Sequence, residues 1–212
     1  MKISKKQPLY IAVQFANTDT DRRVWLDLPA MKTDFGNAIV KIGAESGNFK
    51  IVSYNRRVPG LPMYALMDAP LSVANHFASR LEKLSDAEIL KLCAIGDSLY
   101  YFNTMWQFVN FTYCSDNYTL LRGICDEEAL SIHYLGNPNT LMQGETHQQR
   151  VFRYEYGKSV AKLEHGAFTS LGYITSKDKW SLTRKAYAVP DSLNLRGYLG
   201  EDLYGDWNCC EW

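Results

Sequence analysis

The apolar residues of this chain change their period partway along it, and that change limits the fold more than any short motif does. Up to about residue 60 they occur in short β-rich runs broken by turn residues. Leu9-Tyr-Ile-Ala-Val-Gln-Phe15 is one such run, and Val24-Trp-Leu-Asp-Leu28 is a second that stops at Pro29. The intervening Asn17-Thr-Asp-Thr-Asp21 is turn chemistry, which predicts a hairpin. Thr33 is a candidate cap for a helix over Asp34–Ile42 that stops at Gly43, and Phe49–Tyr54 supplies a third strand. Arg56-Arg-Val-Pro-Gly-Leu-Pro62 carries two prolines and reads as a boundary loop.

Beyond that loop the period becomes helical. Leu71, Ala74, Phe77, Ala78, Leu81 and Leu84 recur every three to four residues, the spacing of a helix that buries one face. Ser85-Asp-Ala-Glu88 matches a capping box and predicts a helix that ends at Gly96. Leu99, Phe102, Met105, Trp106 and Val109 continue the spacing through Asp97–Tyr113, and Asp126 is the predicted cap of a helix over Glu127–Leu135. In the last third, Tyr154–His165 reads as a short helix weakened by Gly157, and Ala167–Ile174 as an extended segment. These patterns predict an α+β fold. Residues 1–60 form a small antiparallel β-rich N-terminal domain, 61–135 a mainly helical middle domain, and 136–212 a mixed C-terminal domain with an acidic, aromatic tail. Trp207 and Trp212 in that tail are expected to pack against the body or a partner.

The chain holds 23 Lys+Arg and 23 Asp+Glu, so its formal net charge is zero. That excludes a uniformly basic nucleic-acid binder and a uniformly acidic decoy. The charges are sorted, however. Residues 1–60 carry ten cations and five acids, net +5, whereas residues 61–130 carry four and nine, net −5. Residues 131–212 hold nine of each, but from Asp191 onward there are five acids and one arginine. No run of apolar residues is long enough to span a membrane, and the N-terminus lacks a secretory apolar core. Five irregularly spaced cysteines argue for free thiols in a reducing compartment.

Motifs for nucleophile elbows, phosphate loops, dinucleotide binding and HExxH zinc sites are absent, so no catalytic residue, metal ligand or cofactor is expected. Among the histidines, His76 reads as packed in a helix and His147 as part of a solvated loop. His133 carries no ligand spacing, and His165 falls at a helix end. The basic pairs Lys5-Lys6, Arg22-Arg23 and Arg56-Arg57 lie beside Tyr10, Trp25 and Tyr54, a combination that grips a nucleic-acid backbone and stacks a base, or simply solubilises loop tips.

The order of these segments resembles the ArdA-type antirestriction proteins. Leu9-Tyr-Ile-Ala-Val, Val24-Trp-Leu-Asp-Leu-Pro29, Lys41-Ile-Gly43 and Lys50-Ile-Val-Ser-Tyr54 follow one another as do that family's YIANL strand, W-[FL]-x-[FL]-P strand, IG helix end and IHDYE-like strand. Val189-Pro-Asp-Ser-Leu193 and Gly197-Tyr-Leu-Gly-Glu-Asp-Leu-Tyr-Gly-Asp206 resemble its VPxSLxxYIDYxxYGRDL segment. Asp126-Glu-Glu-Ala-Leu130 and Tyr154-Glu-Tyr-Gly157 are weaker echoes. The chain departs from the pattern where Ala-Val-Gln replaces Ala-Asn-Leu, and where Ser-Tyr-Asn-Arg replaces the acid-bearing HDYE. It also carries extra material around Tyr100–Tyr118 and Leu135–Phe152.

The resemblance implies a counter-defence inhibitor carried by a bacterial mobile element or phage and working in the host cytoplasm, where it forms a homodimer. Family members are acidic dimers that imitate DNA and occupy the DNA groove of type I restriction–modification enzymes, and related mobile-element proteins inhibit CRISPR–Cas effectors. One DNA turn presents about twenty phosphates. The 23 acids here are offset by as many bases, so copying a full duplex in the family manner is not expected. A body with separate basic and acidic lobes suits a ribonucleoprotein partner instead. The acidic contact candidates are Asp126, Glu127, Glu128, Glu201, Asp202, Asp206 and Glu211. The alternative is a nuclease or RNA-processing factor that disables a guide RNA, with Arg22, Arg23, Arg56 and Arg57 gripping the strand.

Overall fold

In the computed structural model, residues 9–98, 102–136, 146–177, 187–195 and 202–205 are described. The first three strands are β1 (Ile11–Asn17), β2 (Arg23–Leu28) and β3 (Phe49–Arg56). They form an antiparallel sheet in the order β2-β1-β3. β1 and β2 make the expected hairpin, pairing Ile11 with Leu28 and Phe15 with Val24. α1 (Lys32–Lys41) lies between β2 and β3 in sequence and covers one face of the sheet. There Phe15, Phe35 and Phe49 meet edge to face, with ring centroids 5.4–6.1 Å apart. Such pairs add about 0.5–1.5 kcal/mol each to the burial itself.

The cap of α1 is not Thr33. Met31 occupies the cap position, and the Asp34 carboxylate reaches back to accept from its N–H at 2.9 Å. Thr33 therefore sits inside the first turn. Gly43, at φ +67°, ends the element where expected, because an ordinary side chain resists that conformation. Asn17, buried at the end of β1, donates to the carbonyls of Ile42 and Gly43 and accepts from the N–H groups of Asp19 and Thr20. One side chain thus fixes both the hairpin turn and the end of α1.

The middle of the chain is helical, as its period predicts: α3 (Leu71–Leu81), α4 (Asp86–Asp97) and α5 (Met105–Cys114), preceded by a short α2 (Met63–Met67), although α5 starts at Met105 and not at Asp97. Ser85 and Glu88 close their capping box on α4. That helix runs one residue past Gly96, which lies against Gly60 so closely that a side chain on either would collide with the other's backbone. Three strands, β4 (Tyr118–Arg122), β5 (Ala167–Thr169) and β6 (Gly172–Ser176), form a second antiparallel sheet in the order β4-β6-β5. The segment Ala167–Ile174 is therefore a hairpin and not one continuous strand. Asp126 caps α6 (Glu127–Leu135), accepting from Ala129 N–H at 2.7 Å.

The largest difference from expectation is α7 (His147–Leu163). The polar stretch around His147 is not a loop. Thr146 caps the helix and Gln149 completes a capping box, which the polar composition disguises. Gly157 is not a weak point either. The Glu127 carbonyl of α6 packs directly on it, and an added methyl would overlap that oxygen. Glycine is required there for the two helices to approach.

The protein is therefore an α+β fold, and a single cluster of buried side chains runs from Ile11 of the first sheet through the helices to Leu195. α3 stands at its centre, with nine of its eleven residues buried. A helix buried on every side must find partners for its polar groups, since an unpaired one costs about 1–3 kcal/mol. Asn75 accepts from Ala30 N–H at 2.7 Å and donates to the carbonyls of Ala30 and Leu193 at 2.9 and 2.8 Å. Asn75→Ala strands all three backbone groups. It should lower the unfolding free energy by about 2–4 kcal/mol, measured by urea titration with unchanged m-value.

Candidate functional site

Of the acidic candidates among the described residues, Asp126 is exposed and uses one carboxylate oxygen for its cap. Glu128 faces Arg150 and Arg153 of α7 at 3.9 and 4.0 Å, and Arg153 is buried. Glu127 is half-buried where its carbonyl meets Gly157. Asp202 folds back onto the start of α3, accepting from Ser72 N–H at 3.3 Å and from the Ser72 hydroxyl. The adjacent Leu203 carbonyl accepts from Leu71 N–H at 2.7 Å, so this short segment closes the helix N-terminus. Glu201, Asp206 and Glu211 lie outside the described residues, as do Trp207 and Trp212. Acids of the middle that stay exposed include Glu82, Asp86 and Asp116, none of them among the expected contacts.

The basic candidates divide according to strand register. Side chains alternate across a strand, so the partner pairs define two faces. Ile11, Val13, Phe15, Leu26, Leu28, Ile51 and Tyr54 point into the core. Tyr54 is therefore no stacking platform: burial, then the nearby Asp202 carboxylate, hold its phenol far above the ordinary value. Arg56 lies opposite Ile11 and turns toward the loop, donating Nε to the Leu61 carbonyl. Arg22 sits in the hairpin turn, its carbonyl accepting from Asn17 N–H. Arg23 and Arg57 instead emerge on the outer face, beside Trp25 and Tyr10.

A further cluster escapes the sequence because its members are far apart in the chain. The ends of α6 and α7 meet β4 and β6 around a groove of about 540 Å³ lined in part by His133, Tyr134, Glu164, His165 and Thr175. Glu164 accepts from the Tyr134 and Tyr173 hydroxyls at 2.5 and 2.9 Å, and its carbonyl accepts from Thr175. Desolvation, then the carboxylate itself, push the Tyr134 phenol up to about 12. Glu164 is thus committed to two phenols, and His133 and His165 stand at the rim of the groove. No set of three histidine, cysteine or acidic side chains fit to hold a metal ion occurs among the described residues.

His76 is packed, as its helical position predicts. Its Nε2 lies 2.8 Å from the Tyr113 hydroxyl, and Nδ1 is buried with no hydrogen-bond partner among the described residues. Burial first, then the charges of Arg80 and Lys83, hold its pKa below 6.5. The unfolded chain consequently takes up this proton before the folded one does. Stability present above about pH 6.5 is lost as the pH falls below it. In His76→Gln, denaturation midpoints measured from pH 7.5 to 5 should fall less steeply than in the parent.

No family model matches the chain, and no curated protein matches it. No helix among the described residues is long and apolar enough to cross a membrane.

Proposed function

We propose that the protein is a counter-defence inhibitor of a bacterial mobile element that binds a host nucleic-acid-targeting complex, either a type I restriction–modification enzyme or a CRISPR–Cas effector. The segment order shared with ArdA-type proteins suggests the class. The observation that carries the reading is the sorting of charge over one continuous core. Arg23 and Arg57 stand on the outer face of the first sheet, while Glu82, Asp86 and Asp116 are exposed on the helical middle. A ribonucleoprotein or DNA-bound enzyme offers phosphate to the first surface and basic channel walls to the second.

Asp126 gives one carboxylate oxygen to its cap and is otherwise exposed, whereas Asp202 is folded onto the start of α3. Acidic competition with DNA therefore rests on the exposed acids of the middle, and complex formation should weaken as salt rises. The protein should raise establishment of an unmodified, targeted plasmid in hosts armed with one of these systems, compared with an empty vector. Equal transfer into armed and disarmed hosts, with and without the protein, would reject the proposal.

The rim histidines favour a second reading, a nuclease that inactivates the guide RNA. Purified protein incubated with labelled guide, with and without magnesium, separates the two. Intact RNA supports the inhibitor. Cleavage abolished by His133→Ala or His165→Ala supports the enzyme.

A further inference from the structure

The outer face of the β2-β1-β3 sheet is unlike the rest of the surface. Its rows follow from the register. Tyr10 pairs with Arg57, whose N–H donates to the Tyr10 carbonyl at 2.8 Å. Ala12 lies between Asp27 and Asn55, Gln14 between Trp25 and Ser53, and Ala16 between Arg23 and Lys50. Ala12 and Ala16 lie outside the main core cluster, although both are buried. The small side chains of the central strand are covered, and what stays exposed on this face is Arg23, Trp25 and Asp27 on β2 with Asn55 and Arg57 at the end of β3.

Trp25 is 46% exposed on β2. A tryptophan has a large apolar surface to hide, and one left this open on a sheet is suited to receive a flat apolar partner. It also borders a groove of about 350 Å³ between β2 and α1, lined by Asp27, Asp34, Asn37 and Lys41 among others. At one end of this face the Arg57 guanidinium lies 5.5 Å from the centroid of the Tyr10 ring. At the other end Arg23 makes an exposed pairing with Asp21 at 3.2 Å. Exposed pairs of this kind contribute little, so an incoming phosphate displaces the carboxylate readily. Asp27 in the middle repels phosphate but accepts from the exocyclic amines of bases.

From this arrangement we infer that the outer sheet face binds single-stranded nucleic acid, with a base stacked on Trp25 and phosphates at Arg23 and Arg57. Six residues of strand separate the Tyr10 and Ala16 rows, a span of about 20 Å, enough for the two or three splayed bases that a stacking sheet holds. Gln14 and Asn55 present amides toward those bases. Single strand is favoured over duplex by the same geometry, because the bases of a duplex are already stacked on one another and offer Trp25 no free face. The inference goes beyond the counter-defence reading. It concerns the purified protein alone, so it stands or falls separately from plasmid transfer.

The test uses labelled single-stranded RNA and DNA of about twelve nucleotides, within the site sizes of such surfaces, titrated with the full chain at low salt. Binding is expected, with quenching of tryptophan fluorescence. Trp25→Ala should weaken it roughly five- to 150-fold, and Trp25→Phe should restore most of that loss. Arg57→Gln, a change at an exposed position, should reduce the slope of log K against log salt by about 0.7. Equal affinity for RNA and DNA supports stacking with backbone contact, and preference for RNA supports added reading of the 2′-hydroxyl. Absence of binding, binding to duplex alone, or affinity unchanged in both Trp25→Ala and Arg57→Gln would overturn the inference.

Discussion

The arrangement depends on the polar side chains of a buried helix. α3 occupies the middle of the core, and yet Ser72, Asn75 and His76 are buried with it. Each obtains a partner from a different part of the chain. Asn75 binds the exit of β2 and the late residue Leu193. Ser72 binds Asp202, and His76 meets Tyr113 of α5. Arg80, on the last turn, donates to Thr112 and lies over the Tyr113 ring at 4.1 Å. Apolar packing alone would tolerate several placements of neighbouring elements around a helix. Directional bonds to named backbone groups tolerate far fewer, which is how the first sheet, α5 and the late segments come to one register.

The same economy explains what became of the acids. An N-terminal helix turn exposes N–H groups that need acceptors, and carboxylates serve that need well. Asp34, Glu88, Asp126 and Asp202 all do so. Glu88 also accepts from the Ser115 hydroxyl at 2.5 Å; that bond, followed by those from Ser85, draws its pKa down. These four acids thus serve to cap helices and join elements, while Glu82, Asp86 and Asp116 stay exposed. On the outer face of the first sheet Arg23, Trp25, Asn55 and Arg57 stay exposed.

Much of the fold was legible because it depends on neighbours in sequence. The Ser85–Glu88 box, the Asp126 cap and the Gly43 terminus each involve groups within one turn of helix. The β1–β2 hairpin follows from turn residues between two short β runs. What escaped was local chemistry disguised by composition, as at Thr146–Gln149, or local chemistry with two candidate caps, as at Met31 and Thr33. Gly157 was misread for a different reason: the need for glycine there comes from a carbonyl on another helix. The groove around Glu164 left no signal, since its tyrosines and histidines come from α6, the turn after α7 and β6, which no local spacing connects.

By itself, then, the sequence determined the switch from paired strands to helices, most helix starts and stops, and the partition of charge into a basic head and an acidic middle. All of these rest on periodicity and on hydrogen bonds that span a few residues. Only the tertiary structure decided which charges stay exposed. Arg56 and Arg57 are adjacent, and a one-residue step along a strand sends one toward the core side and the other to the open face. Asp202 looks like any tail acid until the chain returns to close α3. Strand register and the return of distant segments are set by packing across the whole core, which no local window of residues contains.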